Sequence, residues 1–284
     1  MKILKIVFIS LLLVSAAFPT ENNVFAAGMA QNDFRYGSKG LKQDTFTLYM
    51  PIVYKVLAGV SGSVYKSNDF DKIHAARIPL TYTGESNIME VVPFMFSHKL
   101  GMTAYGGKLR LSTAFGKKED ALNISLIGGY ATIKGKTDGS GIQKFQQSAL
   151  GIEAEKTVYK QFTFSAGFAG FLKPSEEMDN YKLAQSIFDM KEIIDFNGYE
   201  FLSVLPEWIA SFKFTRNFQP EFNSAMYVGY SKVSLRNFKS ANSYIAGFQF
   251  FVNEDTTLDV GYNVFKYHET SANQYFKILV STMF

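Results

Sequence analysis

Apolar and polar residues alternate along most of the chain. In 256–265, Leu258, Val260, Tyr262 and Val264 take turns with Thr257, Asp259, Gly261 and Asn263. In 206–215, Trp208, Ala210, Phe212 and Phe214 oppose Ile209, Ser211, Lys213 and Thr215. In 162–172, Phe162, Phe164, Ala166, Phe168 and Leu172 oppose Thr163, Ser165, Gly167 and Ala169. A period of two places one set on each face of a β-strand. Turn residues divide the chain into twelve such segments, near 45–64, 73–83, 87–96, 102–115, 121–134, 145–157, 160–172, 206–217, 221–235, 243–253, 256–267 and 274–284. The first is interrupted by Pro51, Gly59 and Gly62 and has the weakest pattern. In the third, Pro93 removes a ladder donor and predicts a bulge or a strand end. Tight connections (84–87, 116–120, 159–160, 218–220, 254–255) alternate with connections that are mostly longer and polar. The longest runs from Pro174 to Leu205. There Ser175, Glu176 and Glu177 open a helical spacing through Met178, Tyr181, Ala184, Ile187, Phe188 and Lys191, which predicts a helix of about four turns.

The pattern does not say which face is inside, because soluble sandwiches and up-and-down barrels alternate too. The two ends and the loops break the tie. Lys2 and Lys5 precede an apolar run from Ile6 to Ala17, and Val24-Phe25-Ala26 offers a processing site. This predicts a cleaved secretory signal over residues 1–26, with a cut after Ala17 as the second choice and an uncleaved anchor as the remaining alternative. The chain ends on an alternating strand whose last residue is Phe284. Gram-negative outer-membrane β-barrels end in this way, a resemblance that implies that barrel-assembly machinery reads Phe284. Short turns alternating with longer loops, and an even strand number that returns both termini to the periplasm, fit such a barrel. The expected fold is therefore all-β: an antiparallel up-and-down transmembrane β-barrel over 45–284. Twelve strands are expected, with ten and fourteen as alternatives, and one long extracellular loop with room for a short helix. Residues 27–44 are expected to be loose or to plug the interior.

Composition narrows the partners. No cysteine is present, which excludes a lipid-anchored lipoprotein, a disulfide framework and a thiolate metal site. The net charge of +4 comes without a basic block and argues against nucleic acid. Beyond the leader no apolar run approaches the length of a spanning helix. Yet 28 Phe and 16 Tyr stand against one Trp, as in barrels whose lipid-facing and lumen-facing residues cancel in any average. The expected surroundings are the outer membrane, its lipid and lipopolysaccharide, the assembly machinery and small solutes.

Candidate chemistry is sparse. His74, His98 and His268 fall toward the extracellular rim, but none sits in a nucleophile–base–orienter spacing or a metal-ligand spacing. No phosphate-binding loop or calcium loop is present, so no cofactor, metal or catalytic group is assigned. The phase of each strand instead turns Arg77, Lys108, Arg110, Glu153, Glu155, Lys213, Asp259 and Lys277 toward the lumen. A charge facing lipid near the midplane costs about 2–4 kcal/mol, which supports that assignment. These residues describe a non-enzymatic channel for passive passage of small solutes, with mixed charge and a slight basic surplus. The alternatives are a lipid-modifying hydrolase served by His98 or His268, and a plugged structural or adhesive barrel acting through its loops.

The run Asp255 to Tyr262 (Asp-Thr-Thr-Leu-Asp-Val-Gly-Tyr), with a loop and a last strand ending in Phe, resembles the outer-membrane transporter family associated with the meta pathway of phenol degradation. The motif covers about the last 35 residues. The resemblance implies passive uptake of small, aromatic solutes and hands over no binding residue.

Overall fold

The computed structural model describes residues 28–68, 72–98, 101–116, 120–136, 142–172, 189–194, 197–202, 205–219, 224–236, 239–267 and 272–284. The predicted signal sequence and most of the predicted loop helix lie outside them. The strands are β1 (Met29–Gly37), β2 (Lys42–Val53), β3 (Val56–Lys66), β4 (Ile73–Arg77), β5 (Leu80–Thr83), β6 (Asn87–His98), β7 (Thr103–Phe115), β8 (Leu122–Lys136), β9 (Ile142–Val158), β10 (Phe162–Phe171), β11 (Pro206–Gln219), β12 (Ser224–Leu235), β13 (Ala241–Asn253), β14 (Thr256–Tyr267) and β15 (Asn273–Met283). All pairings are antiparallel; they join neighbours in sequence except where β4 and β5 each pair with both β3 and β6, and β1 pairs with β15 to close the barrel.

The ring has fourteen positions, not the expected twelve. β4 and β5 together fill one of them. Both lie between β3 and β6, and Ile73, Ala75, Arg77, Thr81 and Thr83 keep one phase across the break. The extra pair comes from the N-terminal part. Met29–Gly37 is a strand, paired with β15 on one side and β2 on the other. The long first segment is a hairpin, β2 and β3, turning at Tyr54-Lys55, where Lys55 has φ of 67°. Adding two strands leaves every later strand direction unchanged, so Met29 at the start of β1 and Met283 at the end of β15 both lie at the tight-turn end.

Pro93 neither ends nor bulges its strand. It pairs with Gly107 in the middle of β6, and its carbonyl accepts from Ile78 N (3.1 Å). A residue's N–H and C=O point to the same side of a strand, so the missing donor of Pro93 faces the gap between β4 and β5. The defect in one strand is matched by the break in its neighbour.

The outer face is apolar. Val60, Leu126, Leu150, Ile152, Phe212, Phe248 and Phe276 project from it, each about half exposed or more. Aromatic residues collect toward both ends. Tyr54, Tyr82, Phe115, Tyr159 and Phe218 lie at the tight-turn end, and Tyr105, Tyr130, Tyr230 and Tyr244 lie toward the long-loop end. Two aromatic girdles flanking an apolar band are the surface a bilayer selects. Polar pairs occupy the inner face, such as Thr47–Ser61 (2.9 Å) and Ser112–Ser125 (2.8 Å).

Gly28, just before β1, is stapled to Phe284. Gly28 N donates to Phe284 O (2.8 Å) and Phe284 N donates to Gly28 O (3.0 Å), extending the nine register pairs of the β1–β15 seam. Deleting Phe284 removes only this last pair from the ladder. The purified variant is therefore expected to refold in detergent, while its heat-modifiable, membrane-inserted yield in cells drops. Undiminished cellular yield would remove Phe284 from the role of assembly signal.

Candidate pore and its inserted loop

The connection between β10 and β11 enters the barrel. Glu192 meets Arg77 of β4, and Ile193 lies against Gly129 of β8, where an added Cβ would be 2.0 Å from the Ile193 carbonyl oxygen. Asn197 O accepts from Ser231 of β12 (3.2 Å) and Ser243 of β13 (2.9 Å). Tyr199 N donates to Asn263 Oδ1 of β14 (3.0 Å). Strands from all round the ring touch this one segment, which places it in the lumen. The inner-face residues are those whose phase matches these contacts.

The segment holds its own shape. Asp189 Oδ1 accepts from Lys191 N (3.2 Å) and Leu202 N (3.0 Å), and Met190 N donates to Leu202 O (2.9 Å). Met190–Glu192 forms one 3-10 turn capped by Asp189. Met190, Ile193, Ile194 and Leu202 then pack against inner-face residues of the long-loop half, including Phe96, Ile133, Phe145 and Phe265. Burial of these apolar groups seals that half of the lumen.

Below the seal the interior is polar and open. A cavity of about 350 Å³ is bounded by Arg35, Tyr49, Arg77, Glu90, Lys108 and Asp189. A second, about 480 Å³, reaches the tight-turn end between Glu85, Glu90, Arg110, Glu153 and Glu155. A third, about 130 Å³, runs from Arg110 and Glu153 to Ile194 of the inserted segment. Glu90 borders the first two, and Arg110 with Glu153 borders the last two. The three spaces lie side by side, walled in common by Glu90, Arg110 and Glu153, between the tight-turn mouth and the underside of the loop.

The eight charges expected in the lumen are distributed among partners. Arg110 pairs with Glu153 across the inner face. Lys277 Nζ lies 2.7 Å from Asp259 Oδ2, and Lys213 lies over the Tyr227 ring at 4.8 Å. Glu155 accepts from Ser165 (3.2 Å). Arg77 spans Glu192, Ser63 (2.6 Å) and Tyr65 (2.7 Å). Lys108 borders the 350 Å³ cavity. Asp33 and Arg35, paired at 2.7 Å on β1, escape the periodicity because residues 29–37 do not alternate cleanly. So do Asp189, Lys191, Glu192 and Glu200, which the loop carries inside. Burial raises the Asp189 carboxyl and lowers the Lys191 ammonium, and their 3.3 Å pairing opposes both shifts. Burial also pushes Glu200 up to about 7 against the hydrogen bond from Tyr275.

The histidines are scattered. His74 is exposed on the outer face opposite Ser97 in register, while His98 belongs to the other face of β6. His268 lies outside the described residues. Among the described residues, no group of three His, Cys, Asp or Glu side chains is placed to hold a metal ion.

No family model and no curated protein matches the sequence. Solved structures do match the fold. The chain is similar to the CymD monoaromatic hydrocarbon channel, with a TM-score of 0.56 and 12% identity over 91% of this chain and 88% of that one. It is also similar to the Pseudomonas putida toluene transporter TodX, with a TM-score of 0.51 and 9% identity over 92% of this chain and 90% of that one. The fold is that of an outer-membrane β-barrel. At these identities the likeness concerns the fold alone.

Proposed function

We propose that the protein is a passive outer-membrane channel for small solutes, with a lumen of mixed charge: Arg77, Lys108, Arg110, Glu153, Glu155, Lys213, Asp259 and Lys277 on the strands, joined by the loop's ionisable groups. The observation that carries this reading is the set of charge-lined cavities that lie between the tight-turn mouth and the inserted loop. A barrel serving only as a scaffold or adhesin has no need of a wet, charged interior, whereas a channel does. The apolar outer band and the two aromatic girdles support placement in the outer membrane of a Gram-negative bacterium. A cleaved leader over residues 1–26 belongs to the same reading, as do lipopolysaccharide and the assembly machinery as partners.

The solute class is finer. The resemblance of Asp255–Tyr262 to the phenol meta-pathway transporter family supports small aromatic solutes. So do the descriptions of the two similar channels, one for monoaromatic hydrocarbons and one for toluene. Reconstitution of the refolded chain into liposomes and planar bilayers tests the channel reading. Solute-dependent swelling and discrete conductance steps are expected. Neither event from a heat-modifiable, folded barrel would favour the plugged scaffold, and lipid release lost on exchanging His98 for Ala would favour the hydrolase.

A further inference from the structure

One side chain of the inserted loop is a phenol seated in a recess of the wall. Glycines form the floor. Gly247 and Gly261 are register partners on β13 and β14, and a Cβ on Gly261 would lie 2.1 Å from Tyr199 Oη. A Cβ on Gly247 would lie 2.4 Å from Tyr227 Oη. Only residues without side chains leave room for two hydroxyls there. The polar end is a relay. Tyr227 Oη donates to Asp259 Oδ1 (2.9 Å), and Asp259 is held by Lys277 (2.7 Å). Tyr227 thereby spends its only proton on the carboxylate. The 2.9 Å contact between the two tyrosines therefore has Tyr199 as donor and Tyr227 as acceptor. Two cations flank the Tyr199 ring, with Arg35 Cζ 5.5 Å and Lys277 Nζ 5.8 Å from its centroid.

We propose that this recess is a binding site for a free phenol, an uncharged hydroxylated six-membered arene, and that Tyr199 occupies it as a tethered stand-in which the solute displaces. The side chain already present defines the fit: a flat ring, electron-rich toward two cations, carrying one hydroxyl that must donate. Displacement costs the loop its Tyr199 side-chain anchor on the β12–β14 side and leaves the backbone contacts of Asn197 and Tyr199 to hold it, so occupancy by solute loosens the loop. The proposal rests on the channel reading only for the route by which a solute arrives.

Equilibrium binding tests it without reference to conduction. Phenol and fluorobenzene, which has the same size and no donor, are titrated calorimetrically into the refolded full chain and into Tyr199→Phe. Amide exchange at residues 197–202 is followed in parallel. Tyr199→Phe keeps the ring and creates no void, but removes the competitor's hydrogen bond. Phenol should then bind about tenfold more tightly than to the unaltered chain, and fluorobenzene about tenfold more weakly than phenol. Phenol should speed exchange at 197–202 in the unaltered chain. Equal affinity for the two proteins, equal affinity for the two ligands, no binding, or unchanged exchange would each overturn the site. A barrel that conducts yet fails these tests keeps the channel reading and loses the recess. One that binds phenol without conducting does the reverse.

Discussion

Excising residues 174–204 and bridging the ends with a short Gly-Ser turn is expected to raise single-channel conductance several-fold while leaving a folded barrel. The ladder does not depend on the loop. β10 and β11 pair directly through nine register partners, from Phe162↔Arg216 to Gly170↔Trp208, and the ring is closed elsewhere by β1 and β15. What the loop contributes is the seal. Met190, Ile193, Ile194 and Leu202 are buried against Phe96, Ile133, Phe145 and Phe265 in the long-loop half. Each such side chain returned to water forfeits about 1.5–3 kcal/mol, so the variant should unfold at lower temperature. Its remaining lumen keeps the charged spaces lined by Glu90, Arg110 and Glu153 and exposes them to the long-loop end. Conductance recorded beside heat-modifiability on gels separates the outcomes. A folded variant that conducts no more than the parent would mean that the barrier is not the inserted segment.

The barrel class was legible because its causes are local and repeated. The alternation in β10, β11, β14 and β15 is clean, and the terminal Phe284 stands where the seam needs it. The strand number was not, and two segments explain the difference. The β2–β3 hairpin turns on Tyr54-Lys55, with Lys55 in the left-handed region and none of the usual Gly, Asn or Asp to mark it. On β1 the inward positions include Asp33 and Arg35, and outward Asn32 interrupts the apolar set, so the segment reads as a polar leader rather than a strand. Phase placed eight charges but could not reveal Glu192 or Tyr199, because a loop carries no period that says which way it folds. The glycines were the available signal. Gly129, Gly151, Gly247 and Gly261 break strands that otherwise alternate, and each lies where another chain segment or a tyrosine hydroxyl comes close.

Raising the pH is expected to loosen the inserted loop, and Glu200 sets the direction. Its carboxyl is buried, with Oε2 unpartnered, and it is faced by Tyr275 and Tyr267 from the wall, by Lys191 and Asp189 from its own segment, and by Lys39 from the turn after β1. Burial raises it from 4.5 to about 7, against the lowering effect of the Tyr275 hydrogen bond and Lys191. A carboxyl raised in the seated loop prefers to be protonated there. The released loop, with an ordinary carboxyl, loses its proton first. Below about pH 4.5 both states hold the proton and seating is unaffected; between 4.5 and 7 seating weakens progressively; above 7 the weakening is complete. The full effect is about 3 kcal/mol at most. Asp189, also raised by burial, acts in the same sense. Conductance of the reconstituted protein should therefore rise from about pH 5 to about pH 8, with faster amide exchange at 197–202 at the upper end. Glu200→Gln mimics the protonated carboxyl and should flatten the profile at its low-pH level. A parent profile that is flat, or a Gln variant that keeps the parent's slope, would show that seating of the loop is not governed by this carboxyl.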